Sequence, residues 1–251
     1  MRFGVMRREM EQGGGASQLA NLDGRRLAAL GVHGLTASGA ALGLLALMAT
    51  LNGRFDHAFL YLGVALVIDG IDGFFARKAD VDTYAPRFDG ALLDLVVDYT
   101  TYVLVPIVML LKANVFPGVI SLALSLLIAV SAALYFADRN MKTGEGWFRG
   151  FPALWNVVAF YLIVFSLPPW ISAIAALLLV GAQFMPILVT HPMRVRRFRL
   201  ITAVVIVLWA GAALIVTLQG LTPGLLTGAL LIAGLLWVGL AGIISGQSAR
   251  S

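Results

Sequence analysis

Apolar residues come in blocks of about twenty along this chain, separated by short joints rich in polar and helix-breaking residues. A helix needs about 20 mostly apolar residues to cross the hydrocarbon core of a bilayer. Eight stretches approach or meet that length: 27–51, 56–76, 90–111, 116–136, 151–167, 170–190, 200–218 and 223–244. Turn and breaker chemistry marks several joints, at Asn52-Gly53, Pro117, Pro168-Pro169 and Pro223. Pro106 and Pro186 fall inside stretches, where a residue without an N–H predicts a kink. The pattern predicts an all-α polytopic membrane protein of about eight transmembrane helices. Residues 1–26 are polar, include Gly13-Gly14-Gly15, and read as a partly disordered cytoplasmic segment. Residues 27–244 form the membrane domain and 245–251 a short tail. The reading includes no removable signal peptide, and takes Arg25-Arg26 as a topological anchor rather than a twin-arginine signal.

Composition strengthens the reading. The chain is 60% hydrophobic and 12% charged, with a mean hydropathy of +0.90, against about 45–50% and about 25% for a soluble domain. The formal net charge of +5 does not signal nucleic acid, because the basic residues sit in short joints and form no basic domain. With no cysteine, disulfides and thiolate metal sites are excluded. If the N-terminus lies inside, alternate joints place 16 of the 18 basic residues on the cytoplasmic side, leaving only Arg54 and Lys112 outside. Positive charge marks the cytoplasmic side, so both termini and every long loop are predicted there. Any reaction with polar molecules is expected on that face.

Four aspartates interrupt two adjacent apolar stretches: Asp69 and Asp72 in the second, Asp94 and Asp98 in the third. An Asp at a helix centre costs roughly 2.5–3.5 kcal/mol on insertion scales, and such residues mark function by default. Asp69 and Asp72 are three apart and share a helix face; Gly90, Asp94 and Asp98 are spaced by four and form one stripe. At 1.5 Å per residue both pairs lie roughly 6–12 Å below the joining loop. Antiparallel packing then brings Asp72 to Asp94 and Asp69 to Asp98. Four converging carboxylates call for a cation, and hard oxygen ligands suit Mg²⁺ or Mn²⁺, with room for a two-metal arrangement. The plainer alternative pairs the aspartates with Arg77, Lys78 and Arg87. It serves one or two of them and leaves the matched depth of all four unexplained. Gly73, Ala76 and Gly90, at the mouth, suit either close helix packing or close approach of a ligand.

The pattern Asp69-x2-Asp72-Gly73-x2-Ala76-Arg77, then twelve residues, then Gly90-x3-Asp94-x3-Asp98 resembles the signature of the CDP-alcohol phosphotransferases. The twelve-residue gap is longer than in the commonest version, a departure in loop length alone. Further stretches look like the bacterial phosphatidylcholine synthase branch of that family. These are "VHGLTASGAALGLLAL" (32–47), "DYTTYVLVP" (98–106), "SAALYFADRNMKT" (131–143), "WFRGFPALWNVVAFYL" (147–162) and "THPMRVRRFR" (190–199). The resemblance implies transfer of a phosphatidyl group from CDP-diacylglycerol to choline, with release of CMP, at the bacterial inner membrane. It implies metal ligation by Asp69, Asp72, Asp94 and Asp98, with Asp98 also the general base. Gly73, Ala76, Arg77 and Gly90 would line the nucleotide site. It implies Mn²⁺ or Mg²⁺ as cofactor, in two ions, and a homodimer in the lipid bilayer.

The local chemistry is compatible with those roles. Divalent metal would spread the pyrophosphate charge, and a carboxylate can take the acceptor's hydroxyl proton. Choline's quaternary ammonium has no N–H to donate, so aromatic faces are its usual partners. Tyr99, Tyr102, Tyr135 and Trp147 are the candidates, although interfacial aromatics are common in membrane proteins anyway. Arg194 and Arg197 share a face and are candidates for phosphate or lipid headgroups. His33 reads as a hydrogen-bonded residue within its own helix. Thr36 and Ser38 read as back-bonding to their helix with cytidine contact the alternative, and Gly39-x3-Gly43 as a close-packing motif.

Two rival functions stand beside this one. A different acceptor (serine, glycerol phosphate or an inositol phosphate) would keep the same site; a phosphorylated acceptor would favour basic residues near Asp98, where the sequence offers Tyr, Thr and Val. A divalent-cation transporter would use intramembrane carboxylates near the midplane and repeated halves. Here the aspartates lie near one face, and the 69–98 pattern is not repeated in the second half.

Overall fold

The computed structural model describes the backbone of residues 2–139, 148–186, 188–189 and 199–248, and the side chains of 22–139, 149–186 and 200–239. Among the described residues, ten α-helices carry the fold: α1 (Arg2–Leu51), α2 (Phe55–Ala79), α3 (Val81–Tyr84), α4 (Gly90–Asp98), α5 (Val105–Lys112), α6 (Gly118–Ala137), α7 (Trp155–Val164), α8 (Pro169–Gln183), α9 (Arg199–Leu218) and α10 (Leu225–Ser248). Two two-residue strands, β1 (Phe148–Arg149) and β2 (Leu188–Val189), pair antiparallel between the α6–α7 and α8–α9 connections. Among the described residues, five helical runs are long and apolar enough to cross a membrane: Leu22–Leu51, Phe55–Ala79, Gly90–Lys112, Gly118–Ala137 and Leu200–Leu218. All eight apolar stretches contain helix, but α7, at 10 residues, and α8, at 15, are shorter than a full span. The chain is thus an all-α membrane protein in architecture. α1 also takes in the backbone of the polar segment before residue 27.

The stretch 90–111 departs from a plain kink in an informative way. It forms α4, a π-helical segment (Tyr99–Leu104) and α5. Pro106 has no N–H to give and its ring crowds the carbonyl four residues back. The wider π turn sits immediately before it, and the Val105 N–H reaches Thr100 O instead of the usual partner one residue later. Such π bulges recur at functional sites, and this one adjoins Asp98.

α1 packs chiefly along α2 and also against α4, the π segment and α5. Its buried positions (Ala29, His33, Thr36, Gly39, Gly43, Ala46 and Thr50) recur every three or four residues, one helix face. A Cβ on Gly39 would lie 2.5 Å from Val97 Cγ1, and one on Gly43 3.1 Å from Thr100 Cγ2. Only glycine lets the two helices approach this closely, as the Gly39-x3-Gly43 spacing predicts. The core continues through Phe59, set edge-on to Phe160 with ring centroids 5.2 Å apart, to the fully buried Met109, Leu110, Ile128 and Trp155.

Past α2 the chain turns on Asp80, in the left-handed region at φ 49°, whose N–H caps Ala76 O. The short α3 then folds back on α1: Val81 and Ala85 pack on Ala29, and Arg25 donates to the Tyr84 hydroxyl at 2.6 Å. Asp89 starts α4 by accepting from the Leu92 N–H at 3.0 Å, the usual role of an N-cap carboxylate.

Candidate functional site

Two helices supply the carboxylates. α2 is regular through Asp69 and Asp72, which therefore share a face; α4, started by Asp89, carries Asp94 and Asp98 one turn apart. Carboxylate oxygens of Asp69, Asp94 and Asp98 lie within 4.8 Å of one another, close enough to hold a divalent cation. Asp72 borders the same small space, together with Thr36, Gly39, Ala65, Val97 and Thr101. It is only 6% exposed, and its Oδ2 accepts the Thr36 hydroxyl at 2.6 Å. Tyr102, 5% exposed, donates its hydroxyl to Asp69 Oδ2 at 2.6 Å. Asp69 and Asp72 are thus each held by a neutral hydroxyl. Each bond orients one carboxylate of α2 without supplying a counter-charge.

From this cluster a pocket of 470 Å³ opens between α1, α2, α3 and α4. Its lining includes Asp72 and Asp94 and all four predicted nucleotide residues, Gly73, Ala76, Arg77 and Gly90. Arg77 is exposed, and a Cβ on Gly73 would lie 3.6 Å from its guanidinium Nη1. The glycine keeps the pocket wall low where the guanidinium lies. Asp80, Val81 and Asp82 line the pocket beyond Arg77.

The aromatic candidates separate. Tyr102 is buried with its hydroxyl on Asp69, as described. Tyr99 is half-buried and donates to Ala129 O on α6 at 3.0 Å. Its ring meets Phe136 at 5.9 Å, and Phe136 in turn meets Tyr135 at 6.2 Å. Tyr135 is buried, and its hydroxyl has no hydrogen-bond partner among the described residues. Trp147, Arg194 and Arg197 lie outside the described residues.

Three features escape a reading by spacing. Thr36 makes only a long contact to Val32 O, 3.4 Å, while its short bond goes to Asp72; Ser38 does back-bond, to Leu35 O at 2.6 Å. Tyr102, four residues after Asp98, reaches Asp69 across the helix pair. The π segment winds more slowly than an α-helix and turns the residues after Asp98 off the regular stripe. His33, expected to bond within its own helix, instead lines the pocket, with Nε2 buried and unpartnered among the described residues. Pro106 in "YTTYVLVP" was the signal for the second. Nothing in the sequence showed which helix Thr36 or His33 would face.

The fold and site define a class: a polytopic helical membrane protein with clustered carboxylates, able to hold a divalent cation, opening onto a polar pocket at the helix ends. The chain matches no family model. It is 45% identical over 185 residues to a phosphatidylcholine synthase of Bradyrhizobium diazoefficiens, covering 74% of this chain and 69% of that protein. The phosphatidylcholine synthase of Pseudomonas aeruginosa is 41% identical over 181 residues, 72% of this chain and 76% of that protein. That of Brucella melitensis is 39% identical over 187 residues, 74% and 68% respectively. The chain belongs to the phosphatidylcholine synthase family.

Proposed function

We propose that this enzyme transfers the phosphatidyl group of CDP-diacylglycerol to choline, releasing CMP, from the cytoplasmic face of the bacterial inner membrane. The carrying observation is the trio Asp69, Asp94 and Asp98, within 4.8 Å of one another, beside a 470 Å³ pocket lined by Gly73, Ala76, Arg77 and Gly90. The positive-inside distribution supports both termini in the cytoplasm, eight spans and a cytoplasmic site.

All-oxygen donors suit Mn²⁺ or Mg²⁺. Asp69, Asp94 and Asp98 would hold one ion, and Asp72 with Asp94, on the larger pocket, a second. Such a cation would withdraw charge from the pyrophosphate and ease the departure of CMP. The chain's own groups do the rest. Arg77 meets phosphate at the pocket wall, while Gly73, Ala76 and Gly90 leave room for the nucleotide. Asp98 takes the choline hydroxyl proton as that oxygen attacks the phosphatidyl phosphorus. Tyr102 and Thr36 hold Asp69 and Asp72 in place. Tyr99, Tyr135 and the Tyr102 ring supply the aromatic side of the choline site, with Trp147 beyond them and Arg194 and Arg197 at the lipid headgroups. The unit in the bilayer is a homodimer.

The acceptor decides the test. Purified protein with CDP-diacylglycerol and Mn²⁺ or Mg²⁺ should release CMP when choline is added, and EDTA should stop it. CMP release with serine, glycerol phosphate or an inositol phosphate, and none with choline, would overturn the proposal.

A further inference from the structure

His33 sits one turn nearer the pocket mouth than Thr36 on the same face of α1, a rise of about 4.5 Å. Its ring is 7% exposed and fixed from two sides. A Cβ on Gly90 would meet its Cε1 at 3.2 Å and its Nδ1 at 3.7 Å, so the absence of a side chain at Gly90 makes room for the imidazole. The Phe88 ring lies edge-on at 5.8 Å. The ring also borders the pocket, with Thr36, Asp72, Arg77 and Asp94. Its Nε2 is buried and has no hydrogen-bond partner among the described residues. Buried ring nitrogens in folded proteins are nearly always paired, and one that is not calls for a partner from outside the chain.

We propose that the His33 imidazole hydrogen-bonds the ribose of the liponucleotide and so selects a ribonucleotide over its deoxyribose counterpart. The inference rests on the CDP-diacylglycerol reading above. Register supports it: with the pyrophosphate at the carboxylates, the sugar is the next group along the nucleotide, and His33 is the next polar side chain up α1 from the Thr36–Asp72 bond. The base then points towards Asp80–Asp82. A hydroxyl both donates and accepts, so a ribose hydroxyl can pair with either imidazole tautomer.

The experiment measures binding of CMP and of dCMP, by calorimetry in Mn²⁺ buffer, to the full-length protein and to its His33→Ala and His33→Asn variants. The unaltered protein should favour CMP about five- to twenty-fold, the range expected of one buried hydrogen bond with its desolvation. His33→Ala should bring CMP affinity down to the dCMP level and leave dCMP affinity unchanged, which also shows that the variant is folded. His33→Asn, with a shorter polar group, should retain part of the preference. The KM for CDP-diacylglycerol should rise in parallel while the KM for choline stays constant. Equal binding of CMP and dCMP by the unaltered protein, or an equal loss for both nucleotides in both variants, would overturn the assignment. Failure of the unaltered protein to bind either nucleotide would instead remove the nucleotide reading of the pocket, and this inference with it.

Discussion

The two sides of the helix bundle handle buried polar groups differently. Around α1, α2, α4 and the π segment, two hydroxyls donate to carboxylates, Thr36 to Asp72 and Tyr102 to Asp69, both at 2.6 Å. Around α7, α9 and α10 they donate to neutral groups. Tyr161 donates to Leu231 O at 2.6 Å and receives the Trp209 indole N–H at 2.8 Å, and the Trp237 N–H reaches Thr202 at 3.1 Å. Each of these bonds joins a neutral donor to a neutral acceptor. They hold α9 against α10, where a Cβ on Gly234 would lie 2.6 Å from the Trp209 ring. On the first side, the acceptors are carboxylates, and three carboxylates of the region crowd together within 4.8 Å. A membrane protein can carry polar groups inside for either purpose: the neutral bonds fasten helices, and the carboxylate cluster is the candidate metal site.

Substitutions break this comparison in order of size. Asp98→Asn should lower kcat by about 10²–10⁴-fold, the usual worth of a general base, with the melting temperature of the purified protein unchanged. A variant retaining full activity would remove Asp98 from the base role. Tyr102→Phe keeps the ring and deletes only the hydroxyl on Asp69. A hydrogen bond to a charged group, about 1.5–3 kcal/mol, gives a loss of at least several-fold in kcat. More Mn²⁺ should be needed for half-maximal rate, while the KM for choline holds. If the choline KM alone moves, the hydroxyl acts on the acceptor rather than through Asp69. Thr36→Val should act in the same direction with less effect, because Asp72 stands at the edge of the trio. On the other side, Tyr161→Phe should leave kcat within two-fold and lower only thermal stability. Interhelical hydrogen bonds in membrane proteins average about 0.6 kcal/mol, so the shift in melting temperature should be small. A large loss of kcat there would erase the distinction between the two sides.

Much of the charged side was legible in the sequence. Asp69, Asp72, Asp94 and Asp98 stand out because carboxylates are rare in apolar stretches. Their spacing alone put both pairs on facing stripes, next to one small space. Helices appeared within all eight apolar stretches, since apolar block length reports burial in lipid. The short lengths of α7 and α8 were not legible, because Phe151 and Leu154 are as apolar as any helical residue yet lie in an extended lead-in that turns at Ala153, φ 54°. The hydroxyl partners were also hidden. Thr36 had a local use by spacing and Tyr102 was read as an aromatic face, while their hydroxyl partners depend on how α1 packs on α2 and on the π segment before Pro106. His33 was misplaced for the same reason: periodicity gives a face, and only the packed structure shows that this face meets a pocket.

If carboxylates from α2 and α4 hold a divalent cation jointly, removing a ligand from either helix must weaken binding. Electron paramagnetic resonance of Mn²⁺ titrated into the purified protein tests it directly, because bound and free ion are counted separately. Saturable binding by the unaltered protein is expected, strongly weakened by Asp69→Asn and equally by Asp94→Asn, although the two residues lie on different helices. Mn²⁺ binding that survives both substitutions would contradict it.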